Sequence, residues 1–285
     1  MTDARTIGVV GAGSIGTGVA VDLVLHGMRV VLVDVSADQL DKARNSIQQT
    51  VRLAPMLRRG LPARKPDEVA DALELSTDLA TIARCEFVVE NVVEDWDVKQ
   101  RVYRELDAVA APEARFGVNT SSIPIARVAA ETSRADRIAG IHFMNPPYLK
   151  DAVEVIRGAE TSQETLDYVD AFLRDLGKEG IVVDDFPGFV SNRISHLFFN
   201  EAVRVVEEQG VAPATVDRLF KKCFGHAMGP LETADLIGLD TVALTLDSLH
   251  DSYGDERFAC ARLLREMVAD GKLGKKSGRG FYEYP

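Results

Sequence analysis

Residues 6–34 read TIGVVGAGSIGTGVAVDLVLHGMRVVLVD. A short apolar run (Ile7, Val9, Val10) leads into Gly11, Gly13 and Gly16; after a helical stretch, a second apolar run from Val30 to Val33 stops at Asp34. Strand, glycine turn, helix, strand and acid in this order separate a dinucleotide-binding βαβ unit from a glycine-rich turn with no ligand. Gly11 permits the tight turn, Gly13 lets the backbone approach a pyrophosphate, and Gly16 lets the helix sit close to the strand. The helix N-terminus then offers free N–H groups and a partial positive charge to the phosphates. Asp34 lies 18 residues beyond Gly16, where a carboxylate accepts hydrogen bonds from both ribose hydroxyls and repels a 2′-phosphate. The next residues are Val35 and Ser36, with no Arg, so the pattern selects NAD over NADP.

Beyond Asp34 the spacing predicts a helix over 37–58, a loop over 61–66 broken by Pro62 and Pro66, and then alternating elements. Strands are expected at 86–90, 115–118, 137–142, 152–156 and 180–183, and helices at 95–110, 125–131 and 163–176. That alternation predicts an α/β fold, a Rossmann-like doubly wound parallel sheet covered on both faces. At Asp185-Phe186-Pro187-Gly188 the texture changes, and apolar residues recur at helical spacing (Val190, Ile194, Leu197, Phe198, Ala202, Val205). The expected domains are 1–186, binding the cofactor, and 187–285, all helical.

The chain has 285 residues, 46% hydrophobic and 27% charged, with a formal net charge of −11. That charge argues against nucleic acid as a partner. No run reaches the ~18 apolar residues of a membrane span, and MTDARTIGVVG enters the first strand with no secretory pattern, so a cytoplasmic protein is expected. Three scattered cysteines, Cys85, Cys223 and Cys260, suggest neither a disulfide framework nor a metal site; Cys223 and Cys260 read as small buried hydrophobes. His26, His196, His226 and His250 read as structural. Against the acidic background, residues 42–66 contain no Asp or Glu but seven basic residues: Lys42, Arg44, Arg52, Arg58, Arg59, Arg64 and Lys65. They form either a solvated helical surface or a dock for something anionic, the phosphates of a nucleotide carrier or an acidic protein.

Ligands of open parallel sheets bind beyond the carboxyl ends of the strands. Glu94, Asn119, Ser121, Ser122, His142 and Asn145 all fall at or just past such ends. Glu154 lies inside the apolar strand Ala152-Val153-Glu154-Val155-Ile156, where a carboxylate is costly to bury unless its charge is partnered. An imidazole is a natural partner, and one that titrates near ~6.5 accepts or returns a proton near neutrality. His142 and Glu154 therefore suggest a general base oriented by a carboxylate, suited beside a nicotinamide ring to alcohol–ketone interconversion, with Ser121 bonding the reacting oxygen.

These stretches, with VVENVVED at 88–95, NTSS at 119–122, IHFMNP at 141–146, PGFVSNR at 187–193, MGPLETADLIGLD at 228–240 and GKKSGRGFY at 274–282, make the chain resemble the L-3-hydroxyacyl-CoA dehydrogenases, including 3-hydroxybutyryl-CoA dehydrogenases, over nearly its whole length. The resemblance implies catalytic residues Ser121, His142, Glu154 and Asn192, with Asn192 reaching the substrate from the second domain. It implies cofactor contacts from Gly11, Gly13, Ser14, Ile15, Gly16, Asp34, Glu94, Lys99, Asn119 and Asn145. Ser121 and Asn192 would also touch substrate, and Arg52, Arg58 and Arg59 would hold the phosphates of coenzyme A. A homodimer through the helical domain is implied too.

Where the family usually reads HFFNP-x-PVMKLVEV, this chain reads HFMNPPYLKDAVEV, with Asp151 at a position where Lys is common. That variant resembles a branch from polyketide-antibiotic pathways thought to oxidise a glyceryl group on an acyl carrier protein (ACP). The expected substrate is thus an acyl-CoA or an acyl-ACP. Rival readings are a sugar-acid or carnitine dehydrogenase, suggested by NPPY at 145–148, and a non-catalytic relative like the lens crystallins, which would have lost catalytic side chains that this chain keeps.

Overall fold

The computed structural model describes residues 5–285, which divide into two compact units meeting between Asp185 and Phe186. The first is built on an eight-stranded sheet. Its elements are β1 (Thr6–Val10), α1 (Ser14–Leu25), β2 (Arg29–Val33), α2 (Ala37–Leu57), α3 (Pro66–Ala72), β3 (Leu73–Ser76), β4 (Phe87–Glu90), α4 (Trp96–Val109), β5 (Arg115–Val118), α5 (Ile125–Ala129), β6 (Ile138–His142), β7 (Ala152–Arg157), α6 (Gln163–Asp175) and β8 (Glu179–Asp184). The strand order is β3-β2-β1-β4-β5-β6-β7-β8. β1, β2, β4 and β6 are almost wholly buried, as strands covered on both faces must be.

Two features depart from the sequence reading. Residues 66–76, passed over beyond the loop at 61–66, form α3 and the edge strand β3. Pro66 opens α3 at a position where its missing N–H costs nothing, and LELS is too short and mixed to stand out as a strand. The sheet is also not all parallel: β7 runs antiparallel to β6, and β8 runs parallel to β7. A nine-residue link, 143–151, is too short for a helical crossover and turns the chain straight back. In that register His142 pairs directly with Glu154.

The second unit, Phe186–Pro285, consists of α7 (Ser191–Gln209), α8 (Pro213–Cys223), α9 (Pro230–Ile237), α10 (Leu239–Tyr253) and α11 (Arg262–Ala269). Its core gathers Phe199, Val203, Leu231, Leu239, Val242, Leu246 and Leu264. The segments MGPLETAD and GRGFYEY are held by two carboxylates. Asp217 accepts from the N–H groups of Leu231 and Glu232, both at 2.9 Å, and from the Tyr282 hydroxyl at 2.6 Å. Fully buried Asp235 accepts from Phe281 N–H, Tyr282 N–H and the Tyr284 hydroxyl, each at 3.0 Å. Gly280 is required here, since a Cβ would lie 2.1 Å from Asp235 Oδ1. Cys223, at the end of α8, is exposed rather than buried, and Cys260 is only partly buried. Among the described residues no helix is long and apolar enough to cross a membrane.

Candidate active site

The site begins at the glycine turn between β1 and α1. Gly11 has φ +94°, and a Cβ there would lie 2.6 Å from the Asn91 carbonyl oxygen. A Cβ on Gly16 would lie 1.9 Å from the Gly11 carbonyl oxygen, so this glycine admits the turn itself more than the strand the sequence reading invoked. Gly13 differs: apart from its own chain neighbours, nothing lies within 4 Å of its Cβ position. That open side, over the N-terminal N–H groups of the 12-residue α1, fits a pyrophosphate. Asp34, just past β2, accepts from Ala12 N–H at 2.8 Å through Oδ2 and from Ser36 N–H at 2.9 Å through Oδ1. Each oxygen keeps a second lone-pair direction for a ribose hydroxyl. Gln39 of α2 donates to the Ala12 carbonyl at 2.7 Å and braces the turn. The residues present fit a bound NAD.

Beyond β4 and β5 lies a buried polar network that sequence spacing did not reveal as such. Lys99 is fully buried, and its ammonium donates to both Glu90 carboxylate oxygens at 2.9 Å and to the Asn119 carbonyl at 3.0 Å. Its donors are thus met by protein acceptors. Glu90, the last residue of FVVE, was missed; a carboxylate closing an apolar strand nine residues before a lysine was the available signal.

Asn119 donates to Asn91 Oδ1 at 2.9 Å and accepts from Phe143 N–H at 3.2 Å. Glu94 Oε1 accepts from the Thr120 hydroxyl at 2.5 Å and from the N–H groups of Ser121 at 2.8 Å and Ser122 at 3.0 Å. Burial raises the Glu94 carboxyl, but Lys99 and these hydrogen bonds outweigh it and hold it below the usual glutamate range. A depressed folded value contributes stability that is present above the unfolded value and lost as pH falls through the folded one. Parent protein should therefore exceed Glu94→Gln in urea midpoint at neutral pH, and the gap should close as pH drops below the usual 4.5 of glutamate; a constant gap contradicts this.

His142 and Glu154 meet across the antiparallel pair. Nδ1 lies 2.9 Å from Glu154 Oε2, and Nε2 lies 3.2 Å from Ser121 Oγ. Both side chains are at least nine-tenths buried. With Nδ1–H donated to the carboxylate, Nε2 carries the lone pair, a tautomer inferred from the partner. The assembly can take a proton from a hydroxyl placed between Ser121 and Nε2.

A cleft of about 300 Å³ runs between α1 and α2, lined by Gly13, Ser14, Lys42, Ser46, Thr50 and the 145–148 segment that follows β6. Asn145 lies on its wall, as does Ser14 on the cofactor turn, while Ile15 is half-buried. Arg52 and Arg59 are exposed. Arg58 forms an ion pair with Asp151, so its charge is already shared, and Arg64 donates Nε–H to the Leu25 carbonyl at 2.9 Å, a structural tie. Asn192 sits in the first turn of α7, in the second unit, with its carbonyl 2.9 Å from His196 Nδ1. Among the described residues no cluster of three or more His, Cys, Asp or Glu could hold a metal ion.

A glycine turn opening a helix, with an acid closing the second strand of a sheet of this topology, defines a dinucleotide-binding fold. Residues 6–186 match the model of the 3-hydroxyacyl-CoA dehydrogenase NAD-binding domain and residues 188–284 that of its C-terminal domain. The chain belongs to the 3-hydroxyacyl-CoA dehydrogenase family, and its cofactor is NAD. It is 40% identical to a probable 3-hydroxybutyryl-CoA dehydrogenase of Deinococcus radiodurans, over 97% of this chain and 99% of that one. It is likewise 40% identical to the 3-hydroxybutyryl-CoA dehydrogenase of Bradyrhizobium diazoefficiens, over 98% and 95%. The crystal structure of (S)-3-hydroxybutyryl-CoA dehydrogenase from Ralstonia eutropha superposes with a TM-score of 0.92 at 36% identity, covering 99% of this chain and all of the other.

Proposed function

We propose that the protein interconverts 3-hydroxyacyl-CoA and 3-oxoacyl-CoA, with short acyl groups such as 3-hydroxybutyryl as the first candidates. The observation that carries this reading is the Ser121–His142–Glu154 chain at the carboxyl end of the sheet that also bears the glycine turn. Bound NAD would supply the acceptor for the hydride leaving C3 of the substrate. His142 Nε2 takes the hydroxyl proton in that step and returns it in the reverse direction. Glu154 orients the ring and stabilises its protonated form, and Ser121 hydrogen-bonds the reacting oxygen. Asn192 is the expected second donor, and Glu94 and Asn119 shape the nicotinamide side. The glycine-turn end of the cleft between α1 and α2 suits the dinucleotide, and its other end, past Lys42 towards Thr50 with the exposed Arg52 and Arg59 at hand, suits the phosphorylated arm of the carrier. NADH formation from 3-hydroxybutyryl-CoA tests the reading. Sustained turnover is expected; NAD binding without turnover on any 3-hydroxyacyl thioester would overturn it.

A second reading keeps the chemistry and replaces the carrier with an acidic protein. It is favoured by the tip of α2, where Met56 (80% exposed) and Leu57 (57%) stand beside Arg52 and Arg59, an apolar–basic surface that a nucleotide alone does not need. A kcat/KM at least about tenfold higher for a glyceryl group on a carrier protein than for 3-hydroxybutyryl-CoA would decide for it.

We also propose a homodimer through the second unit, which leaves Leu219, Phe224, Leu236 and Leu244 more than half exposed. Light scattering should give twice the 31.1 kDa of the chain, and a monomer would reject the assembly.

A further inference from the structure

A second buried charge cluster lies behind the cleft wall, and nothing in the hydride chemistry uses it. Lys178, at the turn between α6 and β8, is 5% exposed, and Asp22, midway along α1, is fully buried. The Lys178 ammonium lies 3.0 Å from Asp22 Oδ2 and donates to the carbonyls of Pro147 at 2.9 Å and Lys150 at 2.6 Å. The ammonium therefore hydrogen-bonds two carbonyls of the link that joins His142 to Glu154 and pairs by charge with Asp22 on α1. His26 completes the cluster, with Nδ1 3.3 Å from the other Asp22 oxygen.

The link also rests directly on α1. A Cβ on Gly18 would lie 2.6 Å from Pro147 Cδ, so the glycine is what lets the turn at Pro147–Leu149 approach the helix. The opposite face of this contact is functional ground, because Gly18 and Val21 of α1 and Pro146 and Tyr148 of the link line the cleft. Burying an ion pair is a poor route to stability, since an apolar pair of similar size often does as well or better. A buried ammonium that ties two backbone carbonyls to a carboxylate on another element instead fixes a position.

We infer that Lys178 and Asp22 are positioning residues that clamp the 143–151 link onto α1 and so set the width of the cleft at its carrier end, between α1, α2 and that link. The assignment of the cleft to the carrier rests on the function proposed above; the clamp itself does not.

The test replaces both charges together, Lys178→Met with Asp22→Asn, so that no lone charge is left buried. KM for 3-hydroxybutyryl-CoA should rise about tenfold or more. Gly18→Ala is the second variant, pressing on the same turn from α1 without altering any charge, and should give the same rise. Independently of any substrate, amide hydrogen exchange over 143–151 should accelerate about tenfold or more in the double variant. Unchanged exchange overturns the clamp. Accelerated exchange with KM unchanged in both variants overturns its role in the cleft. Failure of the parent to oxidise any 3-hydroxyacyl thioester strikes the proposed function instead and leaves the exchange result to judge the clamp.

Discussion

His142→Gln is expected to lower kcat for 3-hydroxyacyl thioester oxidation by roughly 10²–10⁴, the usual worth of a positioned general base. The amide keeps some hydrogen bonding but accepts no proton at neutral pH. NADH affinity should be nearly unchanged, because the glycine turn and Asp34 lie on other strands. The loss should depend on Glu154. Nδ1 sits 2.9 Å from its carboxylate, and a Gln there can offer an N–H to the same nitrogen, favouring the tautomer whose Nε2 is already protonated. Glu154→Gln should thus also reduce kcat, and the double variant should be little worse than His142→Gln alone, as for groups that act as a unit. A kcat for His142→Gln within about threefold of the parent would remove the histidine from the chemistry.

Gly16→Ala should do comparable damage one step earlier, at cofactor binding. The new Cβ would lie 1.9 Å from the Gly11 carbonyl oxygen, a backbone atom with no rotamer to escape into. The turn cannot retreat the other way, because Gly11 already sits at φ +94° against the Asn91 backbone. Either α1 or the turn must move, and with it the N–H groups facing the pyrophosphate. NADH affinity should fall by at least about tenfold, roughly 1.4 kcal/mol, with a lower melting temperature. Gly13→Ala is the informative contrast: with nothing but its own chain neighbours within 4 Å of its Cβ, it should melt like the parent and still lose NADH affinity. Fluorescence titration and thermal melts on the pair separate the two effects. Parent-like NADH binding by Gly16→Ala would contradict the account of the turn.

The sequence exposed the parts of this fold that are periodic and local. The βαβ unit, the helices at 37–58 and 95–110, and the change to helical spacing after Asp185 are written in residue order. Glu154 was legible because a carboxylate within an apolar strand needs a partner. What was not legible depends on pairing between distant segments. The antiparallel turn of β7, which sets Glu154 opposite His142, is a consequence of link length and register rather than of any motif. Lys99 entered only through the resemblance, as a cofactor contact, and its pairing as a buried counter-ion for Glu90 showed only in three dimensions. Lys178 drew no attention, since its two acceptors lie on a turn 28 and 31 residues upstream and its counter-charge, Asp22, on α1. Arg58 belonged to the basic segment by composition, but its pairing with Asp151, on the far side of the site's own link, showed only in three dimensions.

The account depends most on the claim that hydride passes from C3 of a 3-hydroxyacyl thioester to NAD at the site beside His142. Oxidation of 3-hydroxybutyryl-CoA labelled with deuterium at C3, with mass analysis of the dinucleotide, measures that transfer directly. The account predicts one deuterium in each NADH formed, matched by one oxo-thioester. NADH without the label, or no reduction of bound NAD by the labelled thioester on either carrier, would contradict it.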